Sequence, residues 1–191
     1  MPDLPGDCPG LFQVHACAYR NPAQLPEGAV LVIGAGASGA QIAEELVRAG
    51  RRVFLSVGRH NRLPRRYRGR DLVWWLAETQ IDQRPVAQRG PSRLLPVISG
   101  AYGGHTIDFR RFAADGVTLL GRVKAARDGV IEIAPDLAES VAKGDAYYAT
   151  FLDMVDAHIA QRFELVEPHP AERVVGFGGA RGGIIVGGHK T

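Results

Sequence analysis

The stretch VLVIGAGASGAQIAEEL, residues 30–46, decides how this chain is read. It opens on an unbroken apolar run, AVLVIG at 29–34, of the kind that forms a short buried strand of a parallel sheet. Residues 38–50 then follow a helical period. Ile42, Leu46 and Val47 share one face, Glu44, Glu45 and Arg48 the other, and Gly50 is placed to end the helix. RVFLSV, residues 52–57, predicts a second strand. The three elements make a β-α-β unit of about 30 residues.

Gly34, Gly36 and Gly39 form a G-x-G-x-x-G pattern at the turn from strand to helix. Gly34 permits the sharp exit from the strand, Gly36 lets a pyrophosphate approach the backbone, and Gly39 lets the helix pack closely on the sheet. The helix start offers unpaired N–H groups and a partial positive charge. Gly34, Ala35, Gly36, Ala37, Ser38 and Gly39 are therefore the predicted cradle of a dinucleotide, with the Ser38 hydroxyl as an added donor. The alternative is a purely structural glycine turn.

The second strand of such a unit ends beside the adenosine ribose, where NAD-binding versions place an acid about 20 residues beyond the glycines. Here the corresponding residues are LSVGRH, with no acid. Ser56, Arg59, His60 and Arg62 are placed instead for a 2′-phosphate, which a planar guanidinium grips with two donors. NADPH is thus expected over NADH. Residues 56–70, SVGRHNRLPRRYRGR, hold six arginines and no acid. For most of Arg62, Arg65, Arg66, Arg68 and Arg70 the expectation is a solvated face.

The net charge of +3 hides this asymmetry: residues 51–70 hold eight of the 23 basic residues, leaving 15 against 20 acidic ones elsewhere. A basic island on an acidic body suits a small anionic ligand better than a nucleic acid, which favours a wholly basic face. Cys8 and Cys17 fit no zinc spacing and read as reduced thiols. No metal site is expected. No apolar run has the length of a membrane span, and the N-terminal residues lack the features of a secretion signal, so a cytoplasmic location is expected.

The rest divides the chain into an extended lead-in at 1–27, a Rossmann-like NAD(P)-binding domain at 28–134, a long helix at 135–162 and a mobile glycine-rich tail at 163–191. Residues 70–80 predict a helix and 83–104 a long connection. Residues 116–136 predict two strands joined at Asp128-Gly129, a favoured hairpin dipeptide. In the long amphipathic helix, Leu137, Val141, Tyr148, Leu152, Val155 and Ile159 form one stripe, with a weakness or bend at Gly144. The fold class is α/β: a parallel Rossmann-like sheet, an antiparallel hairpin and a long C-terminal amphipathic helix.

FQVHACAYRNP, VLVIGAGASGAQIAEEL, RVFLSVGR and PRRYRGRDLVWWL together resemble the NADPH-binding domain of flavin-containing monooxygenases, and of bacterial flavoprotein monooxygenases in particular. The resemblance runs from about Leu11 to Gln161. The family fingerprint F-x-G-x-x-x-H-x-x-x-Y/F is met by His15 and Tyr19, whereas Pro9 and Leu11 stand at its Phe and Gly positions. Without the resemblance, His15 and Tyr19 read as an ordinary buried pair. The resemblance implies an oxidoreductase in which NADPH reduces FAD and the flavin then activates oxygen toward a small-molecule substrate. The loop at 100–109 and the long helix would border flavin or substrate, with His105 and Asp108 as polar contacts or as members of a hydrogen-bonded loop. No catalytic residue is assigned.

Such enzymes carry two glycine motifs, and one is present here. The expectation is an NADPH-binding portion, from a truncated or split chain, that does not hold FAD alone and relies on a missing FAD domain or an FAD-binding partner chain. The alternatives are a non-catalytic NADP(H)-binding module and half of a disulfide-reductase-like flavoenzyme.

Overall fold

The computed structural model describes residues 11–80, 96–127 and 129–162. The lead-in at 11–27 carries a single short 3-10 turn, and Arg51 binds it to the domain by donating to the carbonyls of Pro26 and Gly28. In chain order the elements are β1 (Val30–Ile33), α1 (Ala37–Arg48), β2 (Val53–Ser56), β3 (Asn61–Arg62), β4 (Arg66–Tyr67), β5 (Arg70–Asp71), α2 (Leu72–Thr79), β6 (Pro96–Ser99), β7 (His105–Thr106), α3 (Phe109–Ala114), β8 (Thr118–Leu120), β9 (Val123–Arg127), β10 (Val130–Ile133) and α4 (Leu137–Arg162).

β1, β2 and β8 form a parallel sheet in that order, in register from Val30 opposite Val53 and from Phe54 opposite Thr118. α1 buries Ala40, Ala43 and Leu46 against it. These residues share one core with Val53, Leu55, Val57, Val97, Ile107, Phe109 and Phe112. The fold is therefore α/β and Rossmann-like, as the glycine-bearing β-α-β unit predicts.

Four expectations need correction. β1 is not fully buried: only Val32 is, and Ile33 is 37% exposed, because among the described residues β1 is hydrogen-bonded along one edge alone, to β2. The first of the two strands read in residues 116–136 is really two. β8 joins the parallel sheet, and β9 turns away after Gly121 to form the antiparallel hairpin with β10. A Cβ on Gly121 would fall 2.0 Å from the Ala134 carbonyl oxygen, so the crossing needs glycine. Asp128 of the predicted hairpin dipeptide lies outside the described residues; Gly129 has φ +75°. The connection read at 83–104 contains β6, which pairs in parallel with β3 and antiparallel with β7. The glycine-rich tail lies outside the described residues.

The fourth correction concerns α4, which runs unbroken through Gly144. A Cβ there would fall 2.2 Å from His60 Nε2, so the glycine is a seat for the imidazole. His60 is buried, its Nδ1 lies 3.0 Å from the Gly58 carbonyl oxygen, and its ring meets Phe109 edge-on at 4.9 Å. Further along, Tyr148, Phe151, Leu152, Val155 and Ile159 pack on Leu63, Tyr67, Leu72 and Trp75 in a second core.

Ion pairs fasten the same interface, so the arginines of 56–70 are not simply a solvated face. Arg62, with its side chain 6% exposed, donates to Asp108 at 2.8 Å and to Asp145 at 2.9 Å, and its guanidinium lies 4.6 Å from the Tyr148 ring centroid. Arg110 completes the group by pairing with Asp145. Arg68 Nε and the Tyr67 hydroxyl both donate to Asp156, and Arg65 pairs with Asp71. Arg66 and Arg70 remain exposed. Buried charges are tolerated only when paired, and here the partners come from α4 and from the residues that begin α2 and α3.

Three predictions follow from this interface. Gly144→Ala destabilises the protein by about 1–3 kcal/mol through overpacking on the fixed imidazole, although alanine is the better helix former; a thermal melt higher than wild type would refute it. Arg62→Ala, which leaves Asp108 and Asp145 short of a cation, lowers stability in urea denaturation by about 3 kcal/mol. Burial lowers the pKa of His60. The unfolded chain therefore takes up a proton that the folded one refuses, and stability falls as pH drops through about 6.5. Denaturation at a series of pH values checks this, and a flat profile between neutral and mildly acid pH would contradict it.

Candidate functional site

The glycine loop sits at the C-terminal end of β1, where open α/β sheets bind ligands. Gly34 has φ +100°, a conformation that side chains disfavour, so the turn out of β1 requires glycine. Gly36 is the N-cap of α1, and a Cβ built on it meets nothing within 4 Å. A ligand phosphate thus has room to approach this backbone. A Cβ on Gly39 would fall 1.9 Å from the Gly34 carbonyl oxygen. Only glycine allows α1 to start this close to the strand end, which aims its first N–H groups at the space over Gly36. The three glycines therefore meet three different physical demands, and the residues fit a dinucleotide pyrophosphate. Ser38, in the first turn of α1, is exposed, while Ala35 is buried beneath the loop.

Beyond β2, the four residues expected around a 2′-phosphate fall into two groups. Arg59 is exposed and makes no hydrogen bond or ion pair among the described residues. Ser56, His60 and Arg62 are buried and engaged. The Ser56 hydroxyl donates to the Gly121 carbonyl at 3.0 Å and accepts from the Val123 amide at 3.1 Å, tying β2 to the crossing between β8 and β9. His60 is locked against Gly144, and Arg62 against Asp108 and Asp145. Sequence proximity placed them beside Arg59, but the chain turns inward after Gly58. What the sequence does not reveal is Arg122, which follows β8 at the same end of the sheet. A Cβ on Gly58 would meet its Cγ at 3.3 Å.

The remaining polar candidates have structural partners. Asp108 caps α3 by accepting from the Arg110 amide and also receives Arg62. His105 Nε2 lies 3.1 Å from Glu44 Oε2 on α1. His15 and Tyr19 are not a buried pair: His15 is exposed, and the half-buried Tyr19 donates its hydroxyl to Glu45 at 2.8 Å. Burial, then the hydrogen bond to Glu45, raises the pKa of that phenol, which stays protonated. A cleft of about 440 Å³ lies between Tyr19, the outer face of α1 and Tyr102. Among the described residues no group of three His, Cys, Asp or Glu side chains is placed to hold a metal ion, and no helix is long and apolar enough to cross a membrane.

Comparison with known proteins bears on about a third of the chain. Residues 8–72 match the model of a family described as flavin-binding monooxygenase-like. A protein of Geobacillus kaustophilus (strain HTA426), named "Uncharacterized oxidoreductase CzcO-like", is 52% identical over 66 residues. That alignment covers 34% of this chain and 19% of the relative, so the chain spans about a fifth of the relative's length. No solved structure matches the chain. The family match contains β1, the glycine loop, α1, β2 and the whole basic segment, and it ends at the first residue of α2. Over residues 8–72 the chain is thus similar to the flavin-binding monooxygenase-like family.

Proposed function

We propose that this chain binds NADPH on its glycine loop and forms the nicotinamide-nucleotide portion of an FAD-dependent monooxygenase that oxygenates a small molecule. The observation that carries this is the loop itself, in which Gly34 turns, Gly36 stays open and Gly39 packs closed. Each demand matches one glycine of the dinucleotide fingerprint. The pyrophosphate would lie over Gly36 and the first turn of α1, with Ser38 in reach.

Arg59 supplies the cation for the 2′-phosphate at the end of β2. It is the exposed member of the predicted set, and no acid stands nearby in the sequence to hold a 2′-hydroxyl instead. NADPH supplies a hydride when bound; the residues named here bind and orient it. The flavin would be held outside the described residues or on a partner chain, since the described residues contain one strand–glycine loop–helix unit of this kind.

Isothermal titration of the purified chain tests the reading. Wild type is expected to bind NADPH more tightly than NADH. Arg59→Ala is expected to weaken NADPH binding by about tenfold or more while leaving NADH unchanged, the loss expected for a charge-assisted hydrogen bond. Equal affinity of wild type for the two nucleotides would remove the 2′-phosphate assignment. No binding of either would remove the nucleotide reading altogether.

A further inference from the structure

Arg122 stands at a position that the sequence reading does not single out. It stands two residues beyond β8, whose last residue, Leu120, lies opposite Ser56, the last residue of β2. The two strand ends are also joined by a hydrogen bond from the Val57 amide to the Leu120 carbonyl at 2.8 Å. Arg122 therefore emerges beside Gly58 and Arg59, on the sheet edge where nucleotides bind in this architecture. Its stem lies across the backbone of Gly58, with the Cβ that Gly58 lacks placed 3.3 Å from Arg122 Cγ and 3.4 Å from Cδ.

The local chain is built to hold this arginine in place. The Ser56 hydroxyl bonds to the residues on either side of it, Gly121 and Val123. The Arg122 amide donates to Asp136 Oδ1 at 2.9 Å, and its carbonyl accepts from the Ala134 amide at 2.8 Å. Asp136 also takes the guanidinium by Nε alone, at 2.5 Å. Among the described residues the two terminal nitrogens make no hydrogen bond, and the side chain is 61% exposed. One carboxylate thus fixes the root of the fork while its two tips remain available, the arrangement suited to gripping a phosphate with two donors.

We propose that Arg122 is a second specificity residue for the ribose 2′-phosphate of NADPH. It reaches the phosphate from the end of β8 while Arg59 reaches it from the end of β2, and Asp136 is the residue that positions it. The inference rests on the NADPH reading above. It explains why the buried Ser56 stands in the expected specificity region without a hydroxyl to offer a ligand: it holds the segment that carries Arg122.

The test is titration of the full chain with NADPH and with NADH. Arg122→Ala is expected to weaken NADPH binding about ten- to a hundredfold and to leave NADH within twofold of wild type. Arg122→Lys, which keeps the charge but not the fork, is expected to fall between. Arg122→Gln keeps the stem over Gly58 and is expected to behave like the alanine variant, which separates lost packing from lost charge. An NADPH-to-NADH preference unchanged in Arg122→Ala and Arg122→Gln would overturn the proposal and leave the role of Arg59 standing. Equal weakening of both nucleotides would also overturn it. A wild-type chain without preference for NADPH would fell the NADPH reading itself, and this proposal with it.

Discussion

The contact between Gly39 and the Gly34 carbonyl sets everything else at this site. A side chain on residue 39 would meet that oxygen at 1.9 Å, well inside any van der Waals distance, and the obstacle is backbone that has nowhere to go. Because residue 39 is glycine, α1 starts close beyond the end of β1, with Gly36 as its N-cap. Because Gly34 adopts a positive φ, the chain makes that turn within three residues. The core then follows: Ala40, Ala43 and Leu46 descend the face of α1 that the close approach presses onto the sheet, and all three are fully buried. A larger residue in any of the first layers would lift the helix and misalign its N–H groups. Packing and ligand geometry are here one constraint.

The second organising feature is the neutralisation of the basic segment from a distance. Arg62, Arg65 and Arg68 would be costly to bring against the protein unpaired. Each meets an acid, and α4 supplies two of the four carboxylates, Asp145 and Asp156, more than 80 residues along the chain. Hydrophobic burial along Tyr148, Leu152 and Val155 brings α4 down, and Gly144 admits the His60 ring at the crossing. The ion pairs fix the register of the helix, since a shift by one residue would separate both acids from their arginines. Such pairs contribute more to specificity of docking than to net stability.

This explains what was legible in the sequence and what was not. The β-α-β unit was legible because each step has a local signature: an apolar run, three glycines at fixed spacing, a 3.6-residue period. The stripe on α4 was legible for the same reason, and four of its six residues, Tyr148, Leu152, Val155 and Ile159, lie in the second core. The fate of Arg62 was not, because whether an arginine faces water or a carboxylate depends on a partner brought in by tertiary packing. Ser56 misled for a related reason. Its position matches the usual specificity region, but its hydroxyl is claimed by the crossing chain at Gly121 and Val123. The splitting of residues 116–136 into β8 and β9 also escaped. Its turning point, Gly121, is required by a distant carbonyl, that of Ala134, which no local pattern announces. α3 is too short to show a period and is set by the Asp108 cap at its start.

Pairing half of the six arginines also sharpens the site. Six arginines in a solvated loop would surround the end of β2 with diffuse positive charge, attracting any anion and selecting none. In the folded chain, Arg62, Arg65 and Arg68 are answered by carboxylates, so their fields are largely cancelled at short range. Arg59 keeps its side chain exposed at the end of β2, and Arg122, on the neighbouring strand end that a hydrogen bond holds to it, gives Nε to Asp136 while its two terminal nitrogens make no hydrogen bond among the described residues. If both guanidinium groups reach one ligand, as proposed, they favour a doubly charged phosphoryl group over a hydroxyl, because both the Coulomb attraction and the number of donors rise with the charge of the ligand. On the NADPH reading proposed above, selectivity for the phosphorylated nucleotide would arise from where positive charge has been removed as much as from where it remains.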